Sequence, residues 1–485
     1  MRGSALGSVT LALAAGVLAG CSVARPSEFV DQAVPASPAK TWAPPPGAPA
    51  PSPPPATPPE IPADLLSGKR TVSLTEAVDV ALSTSPLTRR SWLQARSSAA
   101  DLGSRQAPFW PMVEIDGQAS RGKTVSLGGK AEAILTAYGP SAALNWVLFD
   151  FGARSADVES ARQVLYAADF THDATVADVV LLVQSAYYQY QAAKALLVAS
   201  EASLKQAEES LTAAEERRRA GVATVADVLQ AKTTVSQRRF DVESARGQIE
   251  TTRGALATSL GVPANVPVDV TDLPDGLKLD EATSGVDELI SRAAAERPDL
   301  GAARSRAASL WSKARSVKAS ALPSLSGNAA FSRTYFQGTD AATAYGDNYS
   351  AGLFLRWPVF TGFQKTYDAR KAEEDAKAAD AFTESLAQQV VLQIWSGYYS
   401  VQTAAQKIRA AKDLLGSAKE SEEVALGRYK EGVGSILDLL AAESALAGAR
   451  STDVQARSSF LVTLAQLAHD TGALGLASIP QQEKD

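Results

Sequence analysis

The chain repeats itself at a distance of a little over two hundred residues, and no other feature limits the folds open to it so strongly. Pro86 and Pro298 stand 212 positions apart, as do Pro111 and Pro323, and Arg121 and Arg333. From Trp146 and Trp357 onward the spacing is 211. It holds for Tyr187-Tyr188 against Tyr398-Tyr399, Arg217 against Arg428, Gly221 against Gly432, Asp227 against Asp438 and Gly261 against Gly472. One residue gained or lost between 121 and 146 accounts for the change. Chance matches would not share one offset over so long a stretch, so the chain is a tandem duplication. The copies are residues 73–261 and 285–472, with a connector at 262–284 and a tail at 473–485.

Each copy reads as helix, strand pair, long helix, helix, an α+β unit. Ser73-Leu74-Thr75-Glu76 has the form of a capping box, which predicts a helix running to about 106. Val113, Ile115, Gly117 and Ala119 then alternate with Glu114, Asp116, Gln118 and Ser120, a strand with one apolar and one polar face. The second copy repeats this, with Leu325, Gly327, Ala329 and Phe331 against Ser324, Ser326, Asn328 and Ser332. Returning strands are expected near 140–150 and 348–360. Trp110, Trp146, Tyr349 and Trp357 are expected near strand ends.

Nothing breaks a helix from 152 to about 219, or from 363 to about 430. At 1.5 Å per residue each would reach roughly 100 Å. Steps of seven run along them: Leu197, Leu204 and Leu211, with Ala207 and Ala214; then Ile408 and Leu415, with Ala411, Ala418 and Ala425. The following helix continues with Val228, Val235, Val242, Ile249 and Leu256, the signature of a coiled coil whose alanines allow close approach. The connecting turns match as well. Arg217 to Asp227 reads RRRAGVATVAD and Arg428 to Asp438 reads RYKEGVGSILD. Gly221 and Gly432 can end a helix in the left-handed conformation. Thr224 with Asp227, and Ser435 with Asp438, can cap the next one. Any tight helical hairpin needs such a stop and start.

The amino terminus carries a different message. Arg2 precedes an apolar stretch over residues 5–19, too short to span a bilayer but the size of a signal-peptide core. Leu18-Ala19-Gly20-Cys21 closes it and resembles the bacterial lipobox, which implies cleavage after residue 20 and an acyl (palmitate) anchor on Cys21. Ser22 in the next position implies an outer-membrane destination. Residues 21–62 hold Pro44-Pro45-Pro46 and Pro53-Pro54-Pro55 and read as an extended tether. Cys21 is the single cysteine, so no intramolecular disulfide can form. A net charge of -6 argues against a nucleic-acid partner. His172 and His469 are the only histidines, no Ser/His/Asp or metal-ligand spacing stands out, and G-x-x-x-x-G-K-[ST] does not occur. Neither an enzyme nor a resident cofactor is expected, and two Met and two His offer no track for soft metal ions.

Two copies of helix, strand pair, long helix and helix behind a lipobox resemble the TolC-type outer-membrane efflux proteins. The resemblance spans about 73–472 and is most specific in Leu148-Phe149-Asp150-Phe151-Gly152 and in the two turns. It implies a homotrimer, each chain giving four strands to a twelve-stranded barrel in the outer membrane and its helices to a periplasmic α-barrel. The physics agrees, since four strands cannot close a barrel and open edges are not tolerated in lipid. The resemblance makes the turns a periplasmic tip that meets an adaptor (a membrane fusion protein): Arg217, Gly221, Thr224 and Asp227, with Arg428, Gly432, Ser435 and Asp438. It places a pore constriction at Tyr429 and Asp438. Some relatives carry an arginine two residues after the second glycine, where this chain has Gly434; Arg428 or Lys430 are the candidates to replace it.

The implied function is the passive outer-membrane duct of a tripartite efflux system driven by an inner-membrane pump, conducting small molecules. The exit duct of a type I protein secretion system is a second reading on the same fold. A periplasmic adaptor-like coiled-coil lipoprotein is a third, disfavoured by the duplicated strand pairs.

Overall fold

A computed structural model of the chain describes residues 71–125, 132–274, 277, 285–337 and 343–473. The signal peptide, Cys21, the proline-rich tether, much of the connector and the tail beyond 473 lie outside the described residues.

The first copy opens with a two-residue strand β1 (Thr71–Val72), helix α1 (Leu74–Thr84) and helix α2 (Pro86–Gln106). The capping box at α1 is formed, with Ser73 and Glu76 each accepting from the other's backbone amide. The single helix expected as far as 106 is broken in two. Pro86 cannot donate to the preceding turn, so Ser85 turns extended and caps a new helix with proline in its first turn. The second copy breaks at the matching place, Arg297, between α5 (Val286–Glu296) and α6 (Pro298–Ala319), with the same extended backbone and proline but no side-chain cap.

Strands β2 (Met112–Val125), β3 (Glu132–Phe149), β5 (Ser324–Gln337) and β6 (Thr343–Arg356) form one antiparallel sheet in the order β2-β3-β5-β6. The final strand ends at 356, short of the expected 360. The remaining strand, β4 (Asp269–Val270), pairs in parallel with β1. Register settles the faces of the sheet. Val113, Leu144, Ala329 and Ala351 share one row, and Ile115, Ala142, Phe331 and Tyr349 the next on that face. Asp116, Ser141, Ser332 and Asn348 form a row on the opposite face. The alternation in the sequence thus becomes one polar and one largely apolar sheet surface, the latter interrupted by the Arg333–Asp347 ion pair beside Tyr335 and Tyr345. Strands β2 and β6 are the edges.

Each pair of strands leads into a 67-residue helix, α3 (Ala153–Arg219) and α7 (Gln364–Lys430), followed by a 35-residue return, α4 (Val225–Ser259) and α8 (Ile436–Asp470). Both strand-to-helix corners use two successive left-handed residues, Phe151-Gly152 and Gly362-Phe363. The duplication has kept the backbone path while exchanging the order of the two residue types.

The heptads become seams, but their environments differ. Helix α4 buries one stripe, Val228, Ala231, Val235, Val242, Ala245 and Leu256. Helix α8 packs along both α7 and α3, and α3 along both α4 and α8. Accordingly α8 buries the matching stripe, Leu439, Ala442, Leu446, Ala449, Asp453 and Ala456, and a second one through Ile436, Leu440, Glu443, Val454 and Arg457. Along the distal part of α3 the buried positions are Ser203, Ala207, Ser210 and Ala214, while Leu197, Leu204 and Leu211 are half-buried beside them. The leucine stripe is therefore not the tightest line of contact, because this part of α3 lies between α4 and α8 and small residues let both approach. The largest apolar core gathers around β1, α1 and the middle of α3, including Val72, Val78, Val179, Val183, Tyr187 and Leu256. Tyr187 anchors it by donating to the Val72 carbonyl at 2.9 Å.

Candidate functional site: the paired helical turns

The two hairpin ends carry the sequence-predicted site residues. In each turn the helix closes by the same pair of hydrogen bonds. Gly221 and Val222 donate to the carbonyls of Arg218 and Arg217, and Gly432 and Val433 to those of Tyr429 and Arg428. The glycines sit at φ 79° and 80°, where a side chain is strained. Two residues beyond each valine the next helix starts. Thr224 and Ser435 accept from the amides of Asp227 and Asp438, whose carboxylates accept in return from the cap amides. The turns are thus held by their own backbone, which leaves Val222, Val225 and Leu229, with Val433 and Leu437, exposed around them.

At the turns themselves, contact between the copies centres on one pair of side chains. Arg217, at the end of α3, places its guanidinium carbon 4.7 Å above the ring of Tyr429 and donates to the Tyr429 carbonyl. Tyr429 is buried among Ala214, Val228, Ala231, Ile436, Leu439 and Leu440, and its hydroxyl has no hydrogen-bond partner. Burial pushes the phenol above its ordinary value, opposed by the Arg217 charge. Arg428 and Lys430, the expected substitutes for a latch arginine at 434, do not make this contact; Arg217 does. Gly434 is closely approached, so a larger residue there needs its neighbours to give by a few tenths of an ångström. A Cβ there would lie 3.0 Å from the Arg428 side chain and 3.1 Å from the backbone around it. Asp438 is exposed and serves its own helix cap.

At the opposite end of the long helices, three tyrosines missed in the sequence form a row. Tyr138, Tyr335 and Tyr345 are aligned by register across β3, β5 and β6 on the apolar face. The first two rings stack at 5.4 Å. Tyr349 lies mid-strand opposite Phe331, not at a strand end, whereas Trp110 and Trp357 flank the strands as expected. The row was legible only through pairing, since nothing local brings 138, 335 and 345 together. Among the described residues no group of three or more His, Cys, Asp or Glu could hold a metal ion, and no helix is long and apolar enough to cross a membrane.

Comparison with known proteins fits this geometry. The sequence profile described as outer membrane efflux protein matches residues 77–262 and 289–473, one match per copy. Protein CyaE of Bordetella pertussis is 26% identical over 472 residues, covering 97% of this chain and 94% of that protein. The solved outer-membrane channel OprN superimposes with a TM-score of 0.74 at 22% identity, over 82% of this chain and 90% of that one. The outer membrane protein VceC of Vibrio cholerae gives 0.73 at 21% identity, over 82% and 96%.

Proposed function

Because the chain belongs to the outer membrane efflux protein family, whose members are passive channels and not enzymes, we propose that three copies assemble into one continuous duct across the outer membrane and periplasm. The sheet carries the reading. It has one apolar face and two open edges, which lipid does not tolerate. Strands β2 and β6 run in opposite directions, so β6 of one copy beside β2 of the next continues the antiparallel alternation. Three copies give twelve strands, an even number within the range of bacterial barrels. The largely apolar face meets lipid up to a margin marked by the Arg333–Asp347 ion pair and the Tyr138–Tyr335–Tyr345 row, and the polar face with Glu114 and Asp116 lines the water path. The helices close the periplasmic part in the same manner, α4 of one copy flanking α7 of the next. Cys21 carries the lipid anchor.

The hairpin turns form the periplasmic tip. Their exposed valines and leucines, presented by Gly221, Thr224 and Asp227 and by Gly432, Ser435 and Asp438, dock an adaptor, which couples the duct to an inner-membrane pump. Asp438 borders the constriction; Tyr429, expected there as well, is buried in the hairpin core and acts from behind it, held by Arg217 in place of an arginine at 434. Cargo is small molecules in the tripartite reading; the exit duct of a type I secretion system would use the same trimer.

Native mass spectrometry of detergent-extracted outer-membrane protein tests the assembly. We expect a trimer carrying acyl mass on Cys21, and stepwise conductance when it is added to planar bilayers. A lipid-free monomer without conductance would overturn the duct.

A further inference from the structure

A second set of contacts joins the two copies, and it is polar. Ser203, Ser210 and Arg217 lie seven residues apart on α3 and face the other hairpin. Ser203 accepts from Arg450 at 3.2 Å, Ser210 donates to Glu443, and Arg217 donates to the Tyr429 carbonyl. Beside the middle contact lies a cavity of about 470 Å³ lined from α3, α7 and α8. Glu422 of α7 and Glu443 of α8 both line it and are each only 5% exposed. Glu422 Oε1, Glu443 Oε2 and the Tyr429 hydroxyl are buried there without a hydrogen-bond partner. Two buried carboxylates flanking one half-open cleft cannot both remain charged at low cost while their own oxygens are shut away from water.

We propose that Glu443 is a proton-operated latch between the two hairpins, neutral when the seam is closed and ionised when the seam opens to water. The inference rests on the duct reading and adds its control. The surrounding charges favour a proton over a metal ion, because Lys205 of α3, Lys430 of α7 and Arg450 of α8 line the same cavity. Arg238 of α4 also acts on Glu443 but is paired with Asp241 at 3.0 Å, and Glu209 of α3 adds a further negative charge. Burial, reinforced by Glu422 and Glu209 and opposed by the Ser210 hydroxyl and Arg238, pushes the Glu443 carboxyl up to about 7.

The sign follows from linkage. A raised carboxyl holds its proton in the closed seam and releases it when hydration restores the ordinary affinity. Closure is therefore favoured below neutrality and weakened as pH rises through the closed-state value. Between pH 6 and pH 8 the ratio of closed to open should fall about tenfold if the open carboxyl titrates normally.

Single-channel recording of the full-length protein in planar bilayers between pH 5.5 and 8.5 tests this. We expect open probability to rise with a midpoint near neutrality. Glu443→Gln should abolish the step and fix the low-pH level, while Glu422→Gln should move the midpoint to lower pH. Infrared titration of detergent-extracted protein gives a readout independent of conduction, a protonated-carboxyl band that titrates near pH 7 and is lost in Glu443→Gln. A wild-type step that survives in Glu443→Gln, or no such band, overturns the latch. A response to millimolar calcium at fixed pH that Glu443→Gln removes would make the site a metal site and equally overturn it. No conductance at any pH together with a titrating band would instead sink the duct reading and leave the carboxyl assignment standing.

Discussion

At the scale of single residues, Gly221 and Gly432 separate conformational strain from crowding. A Cβ at Gly221 would meet nothing within 4 Å, and at Gly432 only the end of Arg217 at 3.6 Å. The cost of a side chain is therefore the left-handed backbone itself, about 1–3 kcal/mol for a β-branched residue. Valine at either position should abolish transport while the purified protein remains trimeric, and asparagine, which tolerates this conformation, should retain most activity. Full transport by both valine variants would remove the tip assignment. Arg217 makes a different kind of contribution, since its stacking and hydrogen bond join the two copies. Replacing it by Ala should raise basal conductance, whereas Arg428→Ala should not; equal behaviour of the two would show that the stack is not the latch.

Elements show how one heptad pattern was put to two uses. Ala214 and Ala231 are fully buried where α3 meets α4, so enlarging Ala214 to Leu should cost about 1–3 kcal/mol in thermal unfolding. The same change at exposed Glu215 should be nearly neutral. The end of α8 adds a pH-dependent tie. His469 hydrogen-bonds Asp470 and, across to α3, Asp178 at 2.9 Å; these carboxylates, above all Asp470, raise its pKa against the opposing effect of burial. A raised histidine stabilises fully below its unfolded value near 6.5 and loses that contribution as pH rises through the folded value. Wild type should thus lose more stability than His469→Gln when the pH is raised from 6 to 8. Identical pH profiles would mean the tie contributes nothing.

For the molecule as a whole, the duplication, long helices, strand pairs and turns were all readable in advance, because periodicity and capping are local properties of the chain. So was the family, through the two turns and the strand exit. What local sequence could not show was the difference between copies. Tyr187 is buried and bonded to β1 while its counterpart Tyr398 is only half-buried, although both stand in the same Tyr-Tyr pair. Likewise α8 needs two buried stripes because it lies between α7 and α3, whereas α4 needs one. The breaks at Pro86 and Pro298 were marked by residues already noted as anchors, yet whether such a proline begins a new helix depends on what packs against it. Here Thr84 donates to the carbonyl of Leu260, and Arg297 to that of Asp470 at 3.1 Å, docking each break on a helix end. The sequence alone thus determined the long helices, the strand pairs and the hairpin turns, since those choices are made within a few residues, but not the breaks at Pro86 and Pro298. Only the tertiary structure decided which face of each helix meets which neighbour, and so where Arg217 meets Tyr429 and Ser210 meets Glu443, because those contacts join residues 212 and 233 positions apart.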